Sequence, residues 1–251
     1  AAAGLRPDYF LEIHVVDCGL GPDIRERVRA VIVGQLPKAR IEFIAIAGDR
    51  LKGFPRPAAL SHVTEATYGR LLLPELLPDV AQVLYLDCDL LVMGEIAELY
   101  LTPLYGLPLA GLRDTVIPTL GDDRESLTRD LPGLRPDAPY YNTGVLLFNL
   151  ARLRAVGASV LYRQALNAME ARFGDQSVLN GVFHGQWKSL PARWNRQIML
   201  GREFSVFPDQ PRATWHFISQ LKPWHFQRRG ARGLLKQGQD LRDDIGWVPV
   251  A

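Results

Sequence analysis

The sequence predicts one α/β domain with a mainly parallel central sheet, and three observations predict it. Two β-type runs, residues 11–17 (LEIHVVD) and 40–46 (RIEFIAI), flank a helical period at Ile24, Val28, Val31 and Ile32. Strand, helix and strand at this spacing form a βαβ unit. A long apolar run, residues 83–93 (VLYLDCDLLVM), reads as a central strand interrupted by two acids. The 251 residues, 47% hydrophobic, suffice for one large core. Residues 1–251 are therefore read as one domain, with residues 226–251 as its C-terminal tail.

The elements follow in order. Residues 1–6 resemble the end of a helix, stopped near Gly4 and Pro7. Pro22 stands just before the first full helix, residues 23–36. In residues 60–73 (LSHVTEATYGRLLL), Thr64, Thr67 and Tyr68 precede an apolar run that holds Arg70. Pro74 and Pro78 then break the segment, so a second crossover delivers the chain to Val83. Residues 94–100 suit a helical turn, and residues 109–114 (LAGLRD) a short strand ending in an acid. The polar, Gly-, Pro- and Asp-rich residues 121–139 are expected to form a mobile loop or lid. In residues 140–150 (YYNTGVLLFNL), Val145 to Phe148 should be a buried strand and Asn142, Thr143 and Gly144 the turn into it. Residues 158–171 read as a helix. So do residues 174–183 (GDQSVLNGVF), with Asp175 and Gln176 where polar caps belong. Short strands or loops follow around Trp187 and Trp194. Residues 215–225 (WHFISQLKPWH) gather two tryptophans and two histidines around Lys222 and Pro223.

Composition excludes several function classes. Lys plus Arg is 29 and Asp plus Glu is 27, a net +2 that leaves no electrostatic footprint for nucleic acid. Cys18 and Cys88 are too few for a disulfide framework or a zinc site, so reduced thiols and a cytoplasmic protein are expected. No apolar run reaches the ~18 residues of a spanning helix, and AAAGLRPDYF lacks a signal peptide's basic start and apolar centre. The basic residues Lys222, Arg228, Arg229, Arg232 and Lys236 read as a solvated face, with peripheral contact to an anionic inner-membrane surface as the other use.

The acids carry the chemistry. On a strand Asp87 and Asp89 point the same way and Cys88 the other. Two neighbouring carboxylates repel, and burying either unpaired is costly. A hard divalent cation removes both problems. A strand end with two solvated acids explains Asp-x-Asp equally well in isolation. The apolar residues on both sides favour a metal shelf.

Several modest signals occur in a fixed order: TYGR, LYLDCD, the acid at Asp114, YYNTGVLLFNL, DQSVLNGVF, and HF with KPWH near the end. This ordered set resembles glycosyltransferase family 8, which includes bacterial lipopolysaccharide galactosyl- and glucosyltransferases and glycogenin. The resemblance covers about residues 11–225. It implies a single GT-A (Rossmann-like) nucleotide-sugar transferase domain, a UDP-sugar donor and Mn2+, with Mg2+ as the alternative cation. It further implies retention of anomeric configuration and a saccharide or lipid-linked saccharide acceptor, such as a lipopolysaccharide precursor. By this resemblance Asp87, Asp89 and His216 bind the metal. Arg70, Asp87, Asn142, Lys222 and Ser219 contact the donor, Lys222 at the diphosphate. Asp114, Asp175 and Gln176 line the catalytic sugar pocket.

Where double displacement would want a carboxylate, Gln176 offers an amide, so acceptor attack from the face of the departing UDP is expected. The chain departs from the family at Ser177, often an acid, at Ser219, often glycine, and in the short stretch 201–213. By the same resemblance it begins after the family's first strand, which binds uracil and ribose. Two rivals are weighed. A metal-dependent nucleotidyltransferase would carry a Gly-rich phosphate loop, and none is found. A sugar-nucleotide-binding protein without turnover would fail to hydrolyse donor.

Overall fold

Ile, Val and Phe side chains make the first two segments strands, and in the computed structural model of the chain they pair in parallel. The structure describes residues 9–46, 49–57, 59, 63–122, 124, 127–199, 213–220 and 222. The expected helix over residues 1–6, the tail 226–251, His225 and most of the stretch 201–213 lie outside them.

β1 (Leu11–Asp17) sets Ile13 opposite Ile41 and Val15 opposite Phe43 of β2 (Ala39–Ala45). α1 (Pro22–Gln35) joins them and begins on a proline, whose missing N–H would have had no helical partner there. Asp17 turns the chain from β1 into α1. Its buried carboxylate accepts from the N–H groups of Gly19 at 2.8 Å and Leu20 at 2.6 Å, and faces Arg25 Nε at 2.5 Å.

The segment after β2 is a 3-10 helix, Glu65–Leu72, rather than an α-helical crossover. It buries Tyr68, Arg70, Leu71 and Leu72, and Thr64 caps it by accepting from Ala66 N. The short α2 (Leu73–Leu76) follows, then β3 (Gln82–Leu86), β4 (Leu90–Val92) and α3 (Ile96–Tyr100). Next come β5 (Leu109–Arg113), α4 (Leu127–Asp130), β6 (Tyr141–Asn149), α5 (Leu150–Ala155), α6 (Ala158–Ala168) and α7 (Asp175–Val182). The described chain closes with β7 (Trp187–Ser189), β8 (Arg196–Ile198) and β9 (Thr214–Phe217).

The central sheet has the order β3-β6-β5-β7. β6 pairs antiparallel with both neighbours, while β7 pairs parallel with β5. Three of the four strands thus share a direction and β6 runs against them, so the central sheet is mixed rather than mainly parallel, with two antiparallel pairings and one parallel. The second crossover needs correcting: among the described residues β1 and β2 form their own sheet, and β3 pairs with β6. A third sheet, β4-β9-β8, adjoins the central one.

β6 is the best-buried strand. Leu146 and Phe148 enter the large core, and Val145 and Leu147 enter a second core on the opposite face. Burial on both faces explains why Tyr141 to Phe148 read without polar alternation. It also corrects the expected turn, because Asn142, Thr143 and Gly144 lie within the strand. Residues 121–139 are not a plain loop either. They carry α4, and Leu127 there is buried in the large core.

Candidate active site

The site forms where the central and third sheets meet. Asp87 N donates to Gly144 O at 2.9 Å, extending the β3–β6 pairing by one residue. The chain then turns through Cys88 and Asp89 into β4. Asp87 and Asp89 therefore sit on a turn between strands, not on one strand face as their spacing suggested. They converge nonetheless. β9 pairs with β4 so that His216 faces Leu90, and Phe217 N donates to Asp89 O at 3.1 Å. His216 Nε2 lies 3.3 Å from Asp89 Oδ1 and 3.8 Å from Asp87 Oδ2.

The ligand atoms of these three residues all fall within 4.8 Å of one another. Asp89 Oδ1 is buried and accepts no hydrogen bond of good geometry. A Cβ on Gly144 would lie 2.0 Å from His216 Cε1, so only glycine lets the ring lie against β6. Two carboxylates and one imidazole, with one carboxylate oxygen unsatisfied, fit a divalent cation. Asp89 is held down to about 2: burial pushes its pKa upward, but His216 and Lys222 outweigh that.

Arg70 is the charged centre behind the pair. Its Nη2 donates to Asp87 Oδ1 at 2.9 Å, its Nη1 to Thr143 O at 2.6 Å, and its Nε faces Asp175 Oδ2 at 3.0 Å. Tyr85 lies beneath the guanidinium, with 4.4 Å from Cζ to the ring centroid, and donates its own O–H to Asp87 Oδ1 at 2.8 Å. Burial opposes the charge on Arg70, yet Asp175 and Asp87 raise its pKa further. Asp175 is pushed up by burial against the pull of Arg70, and it accepts from the hydroxyls of Thr67 and Thr143. It stands at the first position of α7 without capping it. The cap is Gly174, at φ +63°, where a Cβ would meet Pro57 at 2.8 Å.

Asp114 closes the pocket. Its Oδ1 accepts from Val116 N at 2.7 Å and Ile117 N at 2.8 Å. Its Oδ2 accepts from Asn142 Nδ2 at 3.0 Å and Gln176 Nε2 at 3.1 Å. Gln176 turns its carbonyl to Thr143 N at 3.0 Å. Because Thr143 N–H can only donate, the amide atom it meets is the oxygen, and this amide has one consistent orientation.

Lys222 donates to Asp89 Oδ2 at 2.6 Å and to Phe217 O. Ser219 is half-buried in the bend after β9. Arg70, Asp87, Asp89, Asp114, Asn142, Asp175, Gln176, His216 and Lys222 are thus joined by side-chain contacts, with Lys222 resting on a proposed metal ligand. Sequence reasoning missed Thr67, Thr143, Tyr85 and the fully buried Asn195, whose side chain joins His216 to Asn142. None belongs to a charged pattern. A cavity of about 390 Å³ lined by Arg50, Phe54, Tyr162 and Arg163 includes none of the site residues. Among the described residues no helix is long and apolar enough to cross a membrane, and Cys18 and Cys88 are free thiols.

Known proteins carry the same arrangement of chain. The model of glycosyl transferase family 8 matches residues 6–228. General stress protein A of Bacillus subtilis is 24% identical over 234 residues, covering 86% of this chain and 77% of that protein. Glycosyltransferase GlyB of Streptococcus pneumoniae is 30% identical over 186 residues, covering 74% of this chain and 40% of its own length. This chain thus spans less than half of GlyB. The crystal structure of galactosyltransferase LgtC with donor and acceptor sugar analogs superposes with a TM-score of 0.71 at 28% identity, covering 97% of this chain and 88% of that one.

Proposed function

This chain belongs to glycosyl transferase family 8 and is a glycosyltransferase of GT-A fold; from that premise we propose a retaining, Mn2+-dependent hexosyltransferase. Its donor is UDP-glucose or UDP-galactose. Its acceptor is a saccharide or lipid-linked saccharide precursor of a cell-surface glycan, handled in the cytoplasm or at the inner membrane face. One observation carries the reading: Asp87, Asp89 and His216, from two elements, bring their ligand atoms together beside Lys222.

Asp87, Asp89 and His216 would hold the cation, and an imidazole among the ligands favours Mn2+ over Mg2+. Bound there, the cation supplies positive charge to a diphosphate leaving group. The remaining work belongs to side chains. Lys222 brings its ammonium to the edge of the cluster, and we assign it the departing diphosphate. Arg70 holds Asp87 and Asp175 at fixed positions. Asp114, Asn142, Asp175 and Gln176 offer the polar groups that sugar hydroxyls need.

The hydrogen bonds bear on stereochemistry. Asp114 accepts from four protein donors, and Asp175 accepts from Thr67 and Thr143 and is ion-paired with Arg70. Carboxylates so engaged are poor nucleophiles, and Gln176 is an amide. The favoured route is therefore attack from the side of the leaving group. The acceptor oxygen bonds to the anomeric carbon as its bond to the diphosphate breaks, and the diphosphate takes the acceptor's proton.

Hydrolysis of UDP-glucose and UDP-galactose, with and without Mn2+, tests the assignment. Metal-dependent release of UDP is expected, and release equal without metal would contradict it. Mass spectrometry of the enzyme with a slow fluorinated donor tests the route. No sugar adduct is expected, and one on Asp114 or Asp175 would overturn it.

A further inference from the structure

The side chain of Asn195 lies between two site residues, its Oδ1 3.0 Å from His216 Nδ1 and its Nδ2 2.9 Å from Asn142 Oδ1. Shape alone does not tell an amide's oxygen from its nitrogen, or say which ring nitrogen carries a proton. Here the chain of hydrogen bonds decides both.

The anchor is the backbone N–H of Gly144, which can only donate. It points at the Asn142 side chain from 3.0 Å, so the atom it meets is oxygen. Asn142 then presents its NH2 to Asp114 Oδ2 at 3.0 Å, an acceptor consistent with that orientation. The Asn142 oxygen also faces Asn195, and the group opposite it must be a donor. That group is the Asn195 NH2. Asn195 therefore turns its oxygen toward His216, and an amide oxygen only accepts. The proton sits on His216 Nδ1.

A neutral ring with its proton on Nδ1 carries a lone pair on Nε2. Nε2 is the nitrogen 3.3 Å from Asp89 and 3.8 Å from Asp87. We infer that Asn195 is a positioning residue that fixes His216 as its Nδ1–H tautomer and so leaves Nε2 free to ligate the metal. The proton position follows from the network alone; its use rests on the metal reading proposed above. Without Asn195 the ring could place its proton on Nε2, directed at two carboxylates, and would then have no lone pair there. Partners of this kind behind a ligating histidine are worth 10–100-fold in metal affinity.

The test uses the full chain labelled with 15N in its histidine rings, at a pH where the ring is neutral and with no metal added. The His216 signals are assigned by their loss in His216→Gln. An Nδ1–H pattern for His216 is expected in the wild type and is expected to be lost or mixed in Asn195→Leu. Asn195→Asp keeps an acceptor and should restore it. Mn2+ affinity measured by titration should fall about 10–100-fold in Asn195→Leu and recover in Asn195→Asp. An Nε2–H pattern in the wild type overturns the inference, and so does an unchanged Nδ1–H pattern in folded Asn195→Leu. Should the Leu variant fail to fold, the wild-type spectrum still decides the tautomer. An Nδ1–H wild type that binds no Mn2+ upholds the tautomer and counts against the metal reading instead.

Discussion

Gly144 shows how closely single residues are constrained here. It stands in β6 where the His216 ring lies against the backbone, and a Cβ there would come 2.0 Å from the ring. Gly144→Ala must displace His216. It is expected to cost about 1–3 kcal/mol, as overpacked buried sites do, and to abolish metal-dependent donor hydrolysis. A thermal midpoint and an activity both at wild-type level would contradict the placement. Residues of this region were unequally legible in the sequence. Asp87, Asp89 and His216 could be found because paired acids and a late histidine are rare among apolar neighbours. Asn195 and Thr67 could not be assigned a role, because an amide or hydroxyl takes its role from partners that lie far along the chain. Their partners Asn142 and Asp175 lie 53 and 108 residues away.

Among elements, the β1–α1 junction carries a pH-dependent part of the stability. Burial pushes the Asp17 carboxyl upward, but the N–H groups of Leu20 and Gly19 and the charge of Arg25 pull it below its ordinary value. A carboxylate held low in the folded state stabilises that state above its unfolded pKa, about 3.9. That contribution is lost as pH falls through the folded value. Acid unfolding of the wild type should steepen below about pH 4, and Asp17→Asn should be less stable at pH 7 with a flatter profile there. Superimposable profiles would show that the turn owes nothing to this charge. The same junction was readable from sequence, since β1, α1 and β2 have local periods and a proline start. The start of β6 was not, because Asn142, Thr143 and Gly144 look like a turn until β3 and β5 enclose them. Residues 121–139 misled for a related reason: their composition is polar, but Leu127 is buried in the core and Leu131, Leu134 and Ala138 pack against it.

At the scale of the molecule, the fold delivers ligands from distant segments to one point. β3 carries Asp87 to the end of the central sheet, β4 and β9 bring Asp89 and His216 together, and β6 supplies the glycine that lets the ring approach. The fold class and family were legible because order along the chain survives where single motifs are weak. The sheet's reversed strand and the separate β1–β2 pair were not, since strand direction depends on long-range pairing. The claim that joins these levels is that Asp87, Asp89 and His216 hold a cation needed to bind a UDP-sugar. Thermal unfolding with UDP-, GDP- and ADP-hexoses, with and without Mn2+, tests it most directly, on the wild type and Asp89→Asn. A ligand at 100 times its dissociation constant adds about 2.7 kcal/mol to the native state. The midpoint should rise with UDP-hexose and Mn2+ together, and the rise should vanish in a folded Asp89→Asn. An equal rise without metal, or in Asp89→Asn, would contradict the account.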